Sequence, residues 1–279
     1  MIIALFANQS KQHCHSFALG VANFLKEQGV TVVTEDKDAK SLGVNPLSDF
    51  LHHKIDFIIS MGGDGTILRL AHKYCDLDIP ILGINLGHLG FMADVPLSDI
   101  YPSLQDLLNG AYKIHERLIL NGESPRGDRC FAVNDIVIHR GKNPSLVEIA
   151  IHVDGLYLNT FEADGVIIST PNGSTAYSLA AGGPILSPDL QAIVITPISP
   201  HTISNRPIVL MPNQEIQIQY SSDYEPIEIR ADGLESFELK TGEVFKIARA
   251  PRTFKLVSLF RRDYFSTLRT KLGWAGKLR

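Results

Sequence analysis

The pattern of this chain changes once along its length. Up to Gly110, apolar runs of strand length alternate with runs at helical spacing. Beyond about Leu120 the helical spacing fades, and short strand-like runs follow one another with turn residues between them. Continuous apolar strands set between helices belong to a parallel sheet covered on both faces. Short strands separated at close intervals belong to antiparallel sheets. The order therefore predicts an α/β N-terminal domain with a parallel sheet, then an all-β, sandwich-like C-terminal domain. In the first part, residues 2–7, 30–33, 56–61 and 80–85 read as strands. Ser10 can cap a helix on which Phe17, Val21, Phe24 and Leu25 share one face, and Gly29 stops it. Residues 66–74 and 97–109 read as further helices. In the second part, strands are expected over 134–139, 147–153, 165–169, 192–197, 208–211, 215–220, 226–231 and 243–249. The Gly-, Pro- and charge-rich residues 121–127 mark a boundary, which gives domains over 1–120 and 121–252 and a C-terminal segment over 253–279.

Composition removes several classes of function. With 44% hydrophobic and 20% charged residues, the chain is neither disordered nor fibrous. No apolar run approaches the roughly 20 residues a membrane helix needs. Residues 1–6 are apolar without a basic n-region and read as a strand, not a signal peptide. The net charge of −4 gives no general attraction to nucleic acid or membrane, so neither is expected as a partner. Cys14, Cys75 and Cys130 are odd in number and far apart, which suits reduced thiols and a cytoplasmic location. From Lys246 to the end, ten Lys or Arg stand against Asp263 alone; against the overall −4, this leaves about −13 on the rest. The same stretch carries Phe254, Leu256, Val257, Leu259 and Phe260, so it should pack and bring cations to an anionic pocket or a subunit contact.

The sharpest motif is Gly62–Gly63–Asp64–Gly65–Thr66, between a buried strand and a helix. Glycines let the backbone turn sharply and approach a ligand. The free amides of a helix start attract an anion, with phosphate the obvious one. Asp64 puts a carboxylate inside that cradle. Two negative groups at about 4 Å repel by about 4 kcal/mol at an effective dielectric near 20. Such an acid either binds a cation or takes a proton from a hydroxyl that attacks the phosphate. Arg69, one turn on, can balance its charge. Gly62 and Gly63 are candidate phosphate contacts. A P-loop is absent, and the dinucleotide fingerprint fails because Leu68 holds its third glycine position.

A longer motif runs from Asp164 to Pro184, a buried strand leading into a loop rich in Pro, Asn, Gly, Ser and Thr. Its hydroxyls and amides suit a flat polar ligand, Tyr177 offers a stacking face, and Asp164 an acceptor; a β-sandwich corner has the same composition. Asn134–Asp135 opens a strand and can meet two ribose hydroxyls, or simply make a turn. His201 can contact a phosphate or serve the fold. The adjacent side chains of His13–Cys14–His15 and of His52–His53 point apart, so no protein metal site is expected. The lack of a Gly-x-Ser-x-Gly elbow disfavours a serine hydrolase.

Together, the glycine–aspartate motif, Asn134–Asp135, residues 164–184 and the ending Thr267–Leu268–Arg269–Thr270–Lys271–Leu272–Gly273–Trp274 resemble the NAD kinase family of bacterial type. The resemblance covers nearly the whole chain. The glycine–aspartate motif alone is shared with lipid kinases and phosphofructokinases; residues 164–184 are far more specific. A kinase of a lipid or sugar, or a dinucleotide-binding regulator without turnover, are the other readings of the motifs. The resemblance implies transfer of a phosphoryl group from ATP, or another phosphoryl donor, to the 2′-hydroxyl of the adenosine ribose of NAD. It implies a divalent cation, Mg2+, bound with ATP, and a homodimer or homotetramer. It also implies that the final segment returns to the first domain. Carried over residue by residue, it makes Asp64 the general base with Gly65 beside it, and puts Phe91 in a loop flanking adenine. Asn134 and Asp135 would hold ribose hydroxyls, and Asp164 would meet the nicotinamide end. Thr175, Ala176, Tyr177, Ser178, Leu179 and Ala180 would line the adenine site, partly from a neighbouring subunit. Asp135 stands where the family usually has Glu, Met92 where Tyr or Leu is frequent, and Leu234 where Gln often follows Asp232–Gly233.

Overall fold

The computed structural model describes residues 1–8, 14–50, 52–202 and 204–274; Ser10 and His13 lie outside them. The chain forms two compact units, one of residues 1–115 with 255–279 and one of residues 116–254.

The first unit is built on a parallel sheet. Its strand Ile2–Ala7 is flanked by Thr31–Thr34 on one side and Phe57–Gly62 on the other, and Ile81–Asn85 lies beyond the latter. Leu256, from the long strand Val244–Leu259, pairs in parallel with Ile81. Alternation along these strands sorts the core. Ile3, Leu5, Ile59, Met61, Leu82 and Ile84 pack with Ala18, Val21, Leu25, Leu104 and Leu107 of the helices Cys14–Glu27 and Ile100–Leu108. Gly83 alternates with Leu82 and Ile84, and a Cβ there would strike Ile67 of the helix Asp64–Lys73. That glycine lets the helix lie close on the sheet. Gly62 and Asn85 are register partners at the carboxyl ends of adjacent strands. In an open α/β sheet this end is where ligands bind.

The second unit is antiparallel. One sheet runs in the order Ile208–Leu210, Ile193–Ile198, Gly165–Ser169, Asp135–His139, Ile227–Ala231, Glu235–Leu239. In the other, Val147–Val153 lies between Leu156–Ala163 and Ile216–Tyr220, and the latter pairs with residues 244–247. Ile136, Ile138, Val166, Ile168, Ile193 and Ile229 of the first sheet share one buried core with Ile149, Ile151, Phe161, Ile218 and Phe245 of the second. Burying each such side chain stabilises by about 1.5–3 kcal/mol.

Several elements depart from the sequence reading. Residues 121–127 are the end of the strand Tyr112–Glu123 and the turn into Arg129–Ala132. Polar residues such as Lys113, His115 and Glu116 hide that strand's period. Leu156–Ala163 is a strand that exposes Leu156 and Tyr157, Glu235–Leu239 is one with an exposed polar face, and Asp36–Leu42 and Tyr264–Leu272 are helices too short to show a clear apolar stripe. The helix expected over 97–109 opens with a 3-10 turn at Leu97–Asp99. The basic C-terminal segment meets acids of its own unit: Lys255 pairs with Asp78, and Arg261 with Asp106. No disulfide joins Cys14, Cys75 and Cys130.

Candidate active site

Asp64 is the first residue of its helix, with Gly63 in extended conformation as the cap. A side chain at Gly62 would collide with the Thr66 hydroxyl, so this turn closes only on glycine. The Asp64 carboxylate is held by a neighbouring loop. The Phe91 N–H donates to Oδ2 at 2.8 Å, while those of Met92 and Ala93 donate to Oδ1 at 3.1 and 2.9 Å. A carboxylate offers about four acceptor positions, so the loop occupies three and leaves one on Oδ2. The residue is half-buried. Its orientation is therefore set by backbone, while one lone pair stays open to a ligand. Gly65, next along, is exposed with open space where a side chain would stand. Arg69 directs its guanidinium to the Thr66 hydroxyl at 3.4 Å, and the Asp64 charge is met by the three amides.

The loop that grips Asp64 is itself shaped by Asn85, which the sequence reading passed over. Asn85 is 2% exposed. Its Oδ1 accepts the Gly87 N–H at 2.7 Å, and its Nδ2 donates to the His88 and Ala93 carbonyls. The Gly90 N–H closes the loop on the Ala93 carbonyl at 3.0 Å. The C-terminal helix packs on the outer side of Phe91, with the Tyr264 ring 6.4 Å away and Lys271 Nζ 5.6 Å from the ring centre. A missed acid, Asp94, follows directly. Burial raises its carboxyl to about 6, with the Arg262 charge opposing the rise and the Asp64 charge adding to it.

In the second unit, Asn134 and Asp135 stand at the head of their strand on a loop pinned from two sides. The Thr170 N–H donates to the Asn134 carbonyl at 2.8 Å, the Thr170 hydroxyl to the Val133 carbonyl at 2.7 Å, and Asn172 Nδ2 to Asn134 Oδ1 at 2.7 Å. A side chain at Gly173 would strike the Asn134 backbone, which explains the glycine. Asp232, also missed, accepts the N–H groups of Val133, Asn134 and Asp135. Asn134, Asp135, Ala176, Tyr177, Arg230 and Asp232 line one cavity of about 950 Å³, ample for a nucleoside-sized ligand.

The remaining expected residues are placed less uniformly. Tyr177 is 43% exposed at the cavity. The Thr175 hydroxyl donates to the Asn172 carbonyl at 3.2 Å. Ser178 is fully buried with its hydroxyl on Thr196 at 2.9 Å, tying its short helix to the sheet; Leu179 is half-buried and Ala180 exposed. Asp164 is engaged by Arg140, Nε to Oδ1 at 2.8 Å. His201 is exposed, and its N–H donates to the Glu162 carbonyl at 2.8 Å.

Burial, helped by the charge of Asp232, lifts the Asp135 carboxyl to about 7 from an ordinary 3.8, against a backbone hydrogen bond from Tyr177. The folded chain thus holds this proton where the unfolded chain releases it. The resulting stability is fully present below about pH 4 and is lost as pH rises through about 7. Asp135→Asn, neutral at every pH, should flatten that part of the profile. Denaturant midpoints for both proteins between about pH 4 and 8 check this; parallel profiles would contradict it.

The chain is similar to known proteins along nearly its whole length. Residues 3–112 match the family model described as the ATP-NAD kinase N-terminal domain, and residues 133–259 the one described as the ATP-NAD kinase C-terminal domain. The chain is 56% identical to the NAD kinase of Protochlamydia amoebophila, over 100% of both chains. It is 40% identical to that of Geotalea daltonii, over 98% of each. Among solved structures, yeast NADH kinase complexed with NADH superposes with a TM-score of 0.88 at 26% identity, covering 100% of this chain and 89% of that one. An NAD kinase from Archaeoglobus fulgidus in complex with ATP gives 0.77 at 25%, covering 99% and 100%. With both family models matched in order and full-length relatives well above 30% identity, the chain belongs to the ATP-NAD kinase family.

Proposed function

We propose that this chain transfers the γ-phosphoryl group of ATP to the 2′-hydroxyl of the adenosine ribose of NAD, with Asp64 as the general base. The observation that carries the reading is the Asp64 carboxylate, held by three backbone amides at the start of a helix with one acceptor position left open. The open lone pair accepts the 2′-hydroxyl proton. The ribose oxygen bonds to the γ-phosphorus, and the bond from that phosphorus to the β–γ bridging oxygen breaks. ADP and NADP leave, and Asp64 returns its proton to water. Positioning and charge neutralisation do most of the work in such transfers. Gly62, Gly63 and Gly65 give phosphate access to the helix start, where the first N–H groups have no partner within the helix. Arg69 supplies a cation nearby.

Asn134 and Asp135 hold ribose hydroxyls. Asn134 Oδ1 accepts from Asn172 Nδ2, and its NH2 group is the donor offered to a hydroxyl. Tyr177 and Ala176 border the base, with Phe91 flanking it on its own loop. Thr175, Leu179 and Ala180 complete the adenine surface, partly from a neighbouring subunit, and Ser178 braces their short helix from the core. Asp164 meets the nicotinamide end through its free oxygen, and His201 a phosphate.

Among the described residues no group of three or more His, Cys, Asp or Glu can hold a metal, so a protein cage does not fit. A cation held chiefly by the phosphates of ATP does fit, because Mg2+ needs only one or two carboxylates beside phosphate and water. Mg2+ bound this way neutralises charge on the transferred group. A cytoplasmic homodimer or homotetramer is the matching assembly; among the described residues no helix is long and apolar enough to cross a membrane. The test mixes the protein, NAD, ATP and Mg2+ and follows NADP with an NADP-specific dehydrogenase. NADP should accumulate in proportion to enzyme; folded protein that makes none overturns the reading.

A further inference from the structure

We infer that Asp232 is a positioning residue for NAD, holding Asn134 and Asp135 in their ligand-binding orientation from the neighbouring hairpin. The inference rests on the NAD reading above. Asp232 sits in the hairpin turn between Ile227–Ala231 and Glu235–Leu239, at φ +49 with Gly233 at φ +68. An Asp–Gly pair with both φ positive is an ordinary hairpin turn, and the Leu234 N–H to Ala231 carbonyl bond closes it at 2.9 Å. A turn alone does not need the carboxylate to reach elsewhere. Here it leaves its own hairpin and accepts three consecutive N–H groups from a distant segment: Val133 on Oδ2 at 2.8 Å, Asn134 on Oδ1 at 2.8 Å and Asp135 on Oδ1 at 3.2 Å. The Asp232 N–H answers by donating to the Asp135 carbonyl at 3.0 Å. Four bonds thus lock the backbone of residues 133–135, three of them on the two residues assigned to the ribose.

The arrangement repeats, within the second unit, the device by which Asp64 is gripped by residues 91–93: one carboxylate against three successive amides. In the first unit the gripped acid does the chemistry. In the second the acid does the gripping, and the residues it holds face the cavity that Asp232 itself lines. The design has a cost. Asp232 is an anion beside the buried Asp135 and raises the energy of its ionised form. A carboxylate kept against that repulsion is explained by the amides it serves, because a neutral side chain offers fewer acceptors.

Asp232→Ala removes all three acceptors. Asp232→Asn keeps one oxygen, able to serve Asn134 and Asp135, but turns an NH2 toward the Val133 N–H. The kinetic experiment measures kcat and the KM values of NAD and ATP for both variants beside the wild type. We expect KM for NAD to rise about tenfold or more in Asp232→Ala, less in Asp232→Asn, with KM for ATP within about twofold. In parallel, hydrogen exchange of the Val133, Asn134 and Asp135 amides should quicken in both variants while amides of the Val147–Val153 strand stay protected. If Asp232→Ala does not fold, Asp232→Asn carries both readings. Unchanged KM for NAD, an equal rise in both KM values, or unchanged exchange of the three amides overturns the inference. A wild type that makes no NADP while the exchange result holds sinks the NAD reading and leaves the backbone clamp standing.

Discussion

Asp64→Asn should lower turnover of NADP formation about 10²–10⁴-fold, the range that general-base catalysis ordinarily contributes, with NAD binding retained. The substitution preserves shape and removes the proton acceptor. The Asn oxygen can still accept the N–H groups of Met92 and Ala93, as Oδ1 does now, so the loop keeps two of its three anchors. The open position on Oδ2 becomes an N–H that cannot take a proton from a sugar hydroxyl. On the proposed function, NAD affinity rests instead on Asn134, Asp135 and the Tyr177 wall, which this change does not touch. Initial rates in the coupled assay give the turnover, and calorimetry with NAD gives the affinity. Turnover equal to the wild type would remove Asp64 as the base; loss of NAD binding in proportion to turnover would make it a binding group.

Gly90→Ala should be nearly as damaging, although residue 90 carries no reactive group. A methyl group there would overlap the Asp64 carboxylate, meeting Oδ1 first. Neither partner can step aside cheaply. The carboxylate is tied to the N–H groups of residues 91–93, and Gly90 is tied to the Ala93 carbonyl. Relief requires the loop to release Asp64. Misplacing a reacting group by about 1 Å costs about 10²-fold in rate, so kcat should fall by at least that factor. The loop is short and set apart from the main strand pairing, so the thermal midpoint should change little. A variant with wild-type kcat would show that the close approach of Gly90 does not set the Asp64 orientation.

The fold was legible where apolar residues run through buried strands with few interruptions, as in Ile2–Ala7, Val147–Val153 and Gly165–Ser169, whose bounds the apolar runs mark. It was illegible where exposed polar residues interrupt the period, as at Lys113–Glu116 and in Glu235–Leu239. The glycine–aspartate turn announced itself because glycines beside a lone acid have few other uses. Asn85 and Asp232 did not, because their work is done on backbone amides and carbonyls, which leave no residue signature at the far end. Asn85 serves Gly87, His88 and Ala93, and Asp232 serves residues 133–135 from about a hundred positions away. The one visible hint was the Asp232–Gly233 pair, noted only for the Leu234 that follows it. Asp94 was hidden for another reason: its environment depends on burial and on Arg262 from the last segment, a pairing no local pattern encodes.

On the proposed function, the Asp64 carboxylate takes the proton of the adenosine 2′-hydroxyl. A crystal structure of the Asp64→Asn variant with NAD and a non-hydrolysable ATP analogue measures it directly. The side chain at position 64 should lie about 2.6–3.2 Å from the 2′-oxygen, with the γ-phosphorus on the far side of that oxygen. A 2′-oxygen out of hydrogen-bonding reach of position 64 and bonded to another acid would contradict it.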